Sequence, residues 1–93
     1  MRQISAALVR QFLMQRYATT LSSAGVLVES LADDYDLLEG GIIDSIGILE
    51  MTSAVESAFE IQLDLENLDA ESLTKVGPFC RYVERFAQAQ FKQ

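Results

Sequence analysis

The chain has 93 residues, a length typical of one domain rather than two, and 49% of them are hydrophobic, which is enough to bury one core. It contains one cysteine, Cys80, and no histidine. This composition excludes an intramolecular disulfide, a zinc site made of histidine and cysteine, and the usual Ser–His and Cys–His nucleophile pairs within the chain. We therefore expect residues 1–93 to form a single domain that is not itself an enzyme.

The net charge of −7 is distributed unevenly along the chain. Residues 17–74 contain no lysine or arginine, and they hold every acidic residue of the chain except Glu84. Such a surface either keeps a protein in solution or steers basic partner proteins toward it. Nucleic acid is not expected as a partner, since binding to phosphates requires lysine and arginine.

The apolar runs and the N-terminal segment indicate where in the cell the protein is expected. No apolar run reaches the length of about 18–20 residues that a membrane span needs. Arginines lie within the apolar stretch of residues 1–20, unlike the uncharged core of a secretory signal. We expect a cytoplasmic protein that has no membrane span and acts as a monomer.

The first half of the chain is predicted to contain one helix and one long loop. Residues 3–17 are rich in helix-forming residues and are predicted to be helical. Residues 18–44 combine turn-forming residues with short apolar runs, and Gly40-Gly41 interrupts any helix there. A loop of this length inside a small domain is usually functional or disordered.

The second helix is predicted to begin at Ser45, with Asp44 as its N-cap. At about 100° per residue, one arc of this helix is expected to face the core: Ile48, Met51, Val55, Ala58 and Phe59. Seven other residues lie mostly on the opposite side: Ser45, Ile46, Leu49, Glu50, Ser53, Glu56 and Ser57. Two large apolar side chains, Ile46 and Leu49, are thus expected to be exposed beside a serine at the helix start, which suggests a docking surface.

Two further helices are predicted in the C-terminal part. Asp69 can cap a short helical turn at residues 70–73. Residues 76–91 carry a clear helical stripe of apolar residues, and Pro78 lies near the start of this helix, where its missing N–H costs least. Cys80 belongs to the stripe and is predicted to be a buried, unreactive thiol. The predicted fold is an all-α four-helix bundle with three long helices, one short helix and a long first loop.

A resemblance to the acyl carrier protein family starts at residues 41–46, which read GIIDSI. In that family an Asp-Ser-Leu or Asp-Ser-Ile tripeptide opens the second helix of a four-helix bundle. The likeness extends over about residues 37–84. It includes FEI at residues 59–61, similar to the family's turn after the second helix, and ESL at residues 71–73, similar to its short third helix.

The resemblance implies a function for each residue around this tripeptide. Ser45 is expected to carry a 4'-phosphopantetheine arm, transferred from coenzyme A by a phosphopantetheinyl transferase, and Asp44 to contribute to recognition by that transferase. The residues implied in partner docking are Ile46, Leu49, Glu50 and Glu56. The other partners implied are a ligase that loads an acyl or aminoacyl group and the acyltransferases or synthases that receive it.

The residues at the helix start are compatible with this function. Free N–H groups and the positive end of the helix dipole favour an anion there, although the charge of Asp44 works against it. With no histidine in the chain, nothing is expected to activate the Ser45 hydroxyl from within. Ser45 is therefore expected to be the substrate of another enzyme rather than a catalyst.

Two departures from the family pattern bear on the kind of carrier. Gly47 stands where the family often has an acidic residue, and Ser53 stands where many fatty-acid carriers have methionine. They leave a thinner acidic strip on this helix than fatty-acid carriers have, which argues against a housekeeping fatty-acid role. The short third helix, with LDAESL at residues 68–73, is more similar to free-standing carriers of specialised pathways or to D-alanyl and peptidyl-type carriers. Fatty acyl, polyketide, amino acid and hydroxy acid cargoes all stay open. The alternative is an acidic helical adaptor that uses Ile46 and Leu49 as anchors and carries no prosthetic group.

Overall fold

The computed structural model describes residues 4–91, and this part of the chain contains five α-helices: α1 (Ala6–Arg16), α2 (Ala18–Ser23), α3 (Ser45–Phe59), α4 (Ala70–Thr74) and α5 (Val76–Phe91). Two short 3₁₀ turns, Val28–Ser30 and Leu65–Asn67, lie in the connections. The described residues form no β-strand, although one antiparallel bridge pairs Asp36 with Lys75. None of these helices is long and apolar enough to cross a membrane. The architecture confirms the predicted helical bundle.

The loop predicted over residues 18–44 is wrong at its start, where α2 is found. The chain bends at Tyr17 but keeps its helical hydrogen bonds, since Tyr17 N donates to Leu13 O at 3.0 Å and Leu21 N donates to Tyr17 O at 2.8 Å. Leu21 is completely buried, which stabilises the extra turn. Serine and threonine dominate this segment and have weak helix propensity, so its composition predicted a loop.

The start of the first helix also differs from the prediction. Residue 3, where that prediction began, lies outside the described residues. Within them, α1 begins at Ala6, and the side chain of Ser5 accepts a hydrogen bond from Leu8 N at 3.1 Å. A serine N-cap of this kind satisfies one of the N–H groups that the first turn leaves free, so the cap fixes the boundary.

The core is formed by the apolar faces of α1, α3 and α5 together with apolar residues of the connections. The largest side chains that are fully buried are Phe79, Leu13, Leu21, Leu37, Met51, Val9, Val55, Val76 and Val83. Cys80 is buried among them as predicted, and burial raises the pKa of its thiol to about 12. The thiol is therefore protonated at neutral pH and a poor nucleophile.

The core-facing arc of α3 is placed as predicted except at two positions. Met51 and Val55 are fully buried, but Ala58 is exposed and Thr52 is buried. The hydroxyl of Thr52 donates to Leu49 O at 2.9 Å, which satisfies its polar atom inside the helix. Hydrophobic periodicity does not predict that Thr52 is buried, because threonine is polar and its burial depends on this hydrogen bond.

The segment that leads to α3 is tied to the junction of α4 and α5. Leu37 N donates to Thr74 O, and Val76 N donates to Tyr35 O, both at 3.0 Å. These two bonds flank the antiparallel bridge between Asp36 and Lys75, and Leu37 beside it is buried. A loop that is long in sequence is thereby held in one place against the bundle.

Asp36 strengthens this tie through its side chain. Its carboxylate accepts hydrogen bonds from Leu38 N at 2.9 Å, Glu39 N at 3.0 Å and the Thr74 hydroxyl at 3.0 Å. The backbone N–H of Glu39 has the largest effect and lowers the pKa of Asp36 below its ordinary value. Burial opposes it, and the Thr74 hydroxyl and Leu38 N–H lower the pKa further. One carboxylate thus closes the local turn and reaches across to α4.

Candidate functional site

The start of α3 is built by a capping aspartate placed after two buried isoleucines. Ile42 and Ile43 are buried and their N–H groups both donate to Leu37 O, at 2.9 and 3.2 Å. Asp44 follows with an extended backbone, and its Oδ1 accepts a hydrogen bond from Gly47 N at 2.7 Å. This confirms the predicted cap. Ser45 is the first residue of α3 and is exposed.

Gly47 is explained by the space inside this cap. A Cβ atom added at Gly47 would lie 3.0 Å from Ile43 Cβ and 3.2 Å from Asp44 Oδ1. Both contacts are tighter than ordinary van der Waals contact, so a side chain here would push the capping carboxylate or the buried isoleucine. The glycine that costs helix propensity is therefore compatible with a close-packed first turn.

Three of the four docking candidates lie on the exposed surface of α3. Ile46 is 67% exposed and Leu49 is 59% exposed, as the helical periodicity predicted. Glu50, one residue further, is exposed as well. The chain thus presents two large apolar side chains and a carboxylate within one and a half turns of the serine.

Glu56 has a different environment from the other candidates. It is half-buried, and its Oε2 accepts a hydrogen bond from Leu63 N at 2.8 Å. The next residue of that connection, Asp64, exchanges two hydrogen bonds with the Tyr82 hydroxyl, at 3.0 and 2.9 Å. Glu56 therefore anchors the connection between α3 and α4 and does not lie free on the α3 surface.

Two open grooves flank the first turns of α3. The larger has a volume of about 530 Å³ and is lined by Arg16, Ile46, Leu49, Glu50, Ser53 and Ala54. The second, of about 400 Å³, is lined by Arg16, Tyr17, Gly41, Ile42, Ile43, Asp44, Gly47 and Glu50. Arg16 lines both grooves, although no sequence pattern marked it as a candidate site residue. The sequence shows that Arg16 is the last basic residue before the acidic stretch. Its position next to α3 follows only from the fold.

The residues at this helix start fit a phosphodiester on the Ser45 hydroxyl. The N–H groups of Ser45 and Ile46 occupy the first two helical positions, which have no acceptor within a helix. They and the helix dipole favour an anion. Because the hydroxyl is exposed and open grooves lie on either side, a separate enzyme has room to reach it.

Comparison with known protein families agrees with this geometry. A model of the family described as "phosphopantetheine attachment site" matches residues 18–83, more than half of the chain, and the matched part includes Ser45. Comparison with curated proteins and with solved structures gives no match. The chain therefore belongs to the phosphopantetheine-attachment family, consistent with an acyl carrier protein, and its cofactor is covalently attached 4'-phosphopantetheine.

Proposed function

We propose that residues 1–93 form one carrier domain, that Ser45 is its attachment residue, and that it delivers an acyl or aminoacyl group to partner enzymes. One observation carries the assignment of Ser45. It is the exposed serine that follows a capping aspartate at a helix start, inside the part of the chain that matches the family. When attached, the arm supplies a thiol that holds the cargo as a thioester.

The arm is attached in a reaction for which Ser45 provides the nucleophilic oxygen. A new bond forms between Ser45 Oγ and the phosphorus of coenzyme A that carries pantetheine. The bond to the adenosine bisphosphate part breaks, and that part leaves. The hydroxyl proton passes to a base of the transferase, since the chain has no histidine to accept it.

Partner enzymes are proposed to dock on the exposed surface of α3. Ile46 and Leu49 provide apolar contact, and Glu50 provides a negative charge for a basic partner. Glu56 is proposed to contribute indirectly, by holding the connection that follows α3. Attraction between an acidic surface and a basic partner weakens as the salt concentration rises. The proposed partners are a phosphopantetheinyl transferase, a loading ligase and the acyltransferases or synthases that take the cargo.

The pathway is proposed from departures in the sequence. Gly47 and Ser53 argue against a housekeeping fatty-acid role, and the sequence of residues 68–73, around the short helix α4, favours a specialised biosynthetic pathway. Fatty-acid or polyketide synthesis is the alternative. A cytoplasmic location and a monomeric state stay predictions.

Intact-protein mass spectrometry tests the assignment of Ser45. The apo protein is incubated with coenzyme A, magnesium and a broad-specificity phosphopantetheinyl transferase. We expect a mass gain of one phosphopantetheine in the wild type and none in Ser45→Ala, with unchanged circular dichroism. Ser57→Ala, which removes another exposed serine of α3, is the matched control and should load normally.

Each of the other results would redirect the assignment. A mass gain in Ser45→Ala would place the arm on another residue. No gain in a folded wild-type protein would favour the acidic adaptor without a prosthetic group, and a search for its binding partner would come next.

A further inference from the structure

The larger groove begins one residue after Ser45 and runs along α3 to Ala54. Ile46 and Leu49 give it an apolar wall, and Ser53 and Glu50 add polar atoms. Its volume of about 530 Å³ falls within the range in which proteins bind small molecules. Ser45 lines neither groove but directly precedes Ile46, which lines the larger one. A phosphate on its hydroxyl would therefore start beside this groove, and the pantetheine part would be adjacent to it.

Arg16 lines this groove and is exposed, with a single hydrogen bond to the protein within the described residues. Within residues 4–91 its hydrogen-bond partner is the Tyr17 hydroxyl, 3.4 Å from Nε, and its guanidinium carbon lies 5.7 Å from the Tyr17 ring centroid. The ion pairs found in that part of the chain join Arg81 to Asp33 and Lys75 to Glu71. A guanidinium has five N–H donors, so Arg16 can bind carbonyl or anionic oxygens in the groove.

The length of the groove matches the length of the arm. From Ser45 to Ala54 the helix rises by about 13.5 Å, at 1.5 Å per residue. The arm has about fourteen bonds between the serine oxygen and its sulfur, and it spans roughly 16 Å at the reach of an extended peptide. Because it is tethered next to the groove, its effective concentration there is high, and weak contacts are enough to hold it.

We propose that this groove, between the end of α1 and the exposed surface of α3, is the resting site of the arm on Ser45. Ile46 and Leu49 contact its branched hydrocarbon part, and Arg16 donates hydrogen bonds to its amide carbonyl oxygens. The proposal rests on the proposed function, since it needs an arm on Ser45. It also means that Ile46 and Leu49 contact either the arm or a docked partner, but not both at once. A partner that docks there displaces the arm and makes it available.

Nuclear magnetic resonance of the labelled apo and loaded proteins tests the resting site. On loading, we expect shifts of the backbone amides from Ile46 to Ala54 and of the Arg16 Nε–Hε signal. We also expect nuclear Overhauser contacts between the methyl groups of the arm and those of Leu49. In Arg16→Gln, loaded to the same extent by mass, the shifts at Ser53 and Ala54 should be lost.

Arg85→Gln is the matched control, because Arg85 is exposed on α5 and lies outside the groove; it should keep the wild-type pattern. Shifts confined to the first turn of α3 in a fully loaded protein would overturn the resting site. Unchanged shifts in Arg16→Gln would overturn the part assigned to Arg16. Absence of the mass gain would instead overturn the assignment of Ser45, so the two failures are distinguishable.

Discussion

Two helices of this chain, α3 and α4, begin in the same way and differ in what surrounds their first turn. Asp44 Oδ1 accepts from Gly47 N at 2.7 Å, and Asp69 Oδ1 accepts from Ser72 N at 2.8 Å. Both aspartates have extended backbones and both are exposed. The residue after the cap is a serine in α3 and an alanine in α4. The cap is therefore a local device, and by itself it does not make an attachment site.

The surroundings of the two helix starts differ more than their caps do. The first turns of α3 lie between two open grooves and expose Ile46 and Leu49. The helix α4 has five residues and ends at Thr74, which is bonded to Asp36 and Leu37 of the loop. A long helix with exposed apolar residues suits docking by other proteins, whereas a short helix tied down at its end suits a structural role.

The largest expected effect is a complete loss of loading that a serine placed after the other cap does not restore. Ala70→Ser in a Ser45→Ala background creates an Asp-Ser pair at the start of α4. We expect no mass gain with coenzyme A and the transferase, because the transferase needs the α3 surface as well as a capped serine. Ala70→Ser alone should gain one arm and not two. A gain in the double variant would show that the cap and the hydroxyl suffice.

The second effect concerns the exposed apolar residues that α3 has near its start. Ile46→Asp should lower kcat/KM for loading by about tenfold, equivalent to about 1.4 kcal/mol of partner binding. The free energy of unfolding should change by no more than about 0.5 kcal/mol, because the side chain is exposed. Leu27→Asp is the control, since Leu27 is also 67% exposed and lines neither groove. A similar loss in both variants would refute docking at Ile46.

The third effect separates the capping role of Asp44 from its charge. Asp44→Ala should lower the free energy of unfolding by about 1 kcal/mol, because Gly47 N loses its acceptor. Asp44→Asn keeps an acceptor and should unfold like the wild type in urea. If the charge helps the transferase, loading is slow in both variants. Normal loading of Asp44→Asn would limit Asp44 to the cap.

The smallest effect is a pH dependence at the start of α4. The Ser72 backbone N–H, and then its hydroxyl, hold the pKa of Asp69 below its ordinary value. Since the folded state has the lower pKa, the stabilisation is complete above the unfolded value and is lost as the pH falls through the folded pKa. An asparagine caps without titrating. Between about pH 6 and pH 3, Asp69→Asn should therefore lose less stability in urea titrations than the wild type; an equal loss would contradict this assignment.

The features that sequence reasoning predicted are those that depend on neighbouring residues. Asp44 and Asp69 cap the helices that follow them, as expected from their residue type. The stripe that contains Phe79 and Val83 is buried because a period of 3.6 residues places it on one side of α5. The resemblance of GIIDSI to acyl carrier proteins is confirmed at the level of the family, while the assignment of the arm to Ser45 stays a prediction.

The features that were missed depend on contacts between different elements of the fold. The helix α2 forms from weak helix formers because Leu21 is buried in the core. Glu56 was predicted on a surface and instead bonds to Leu63 N, seven residues away. Arg16 approaches α3 only because α1 packs beside it. No local pattern reports such contacts, since each requires the assembled bundle.

During synthesis, the segment that leads to Ser45 leaves the ribosome well before the residues that hold it. Asp36 is separated from its partner Thr74 by 38 positions. The carbonyl oxygen of Tyr35 accepts its hydrogen bond from Val76 N, which is also synthesised much later. Until these residues emerge, the nascent chain can form the cap of α3 but not the tie that fixes the preceding loop. A chain truncated after residue 73 should therefore load poorly beside the full chain. If Ser45 carries the arm, we therefore expect loading to follow the completion of α5 during synthesis rather than precede it.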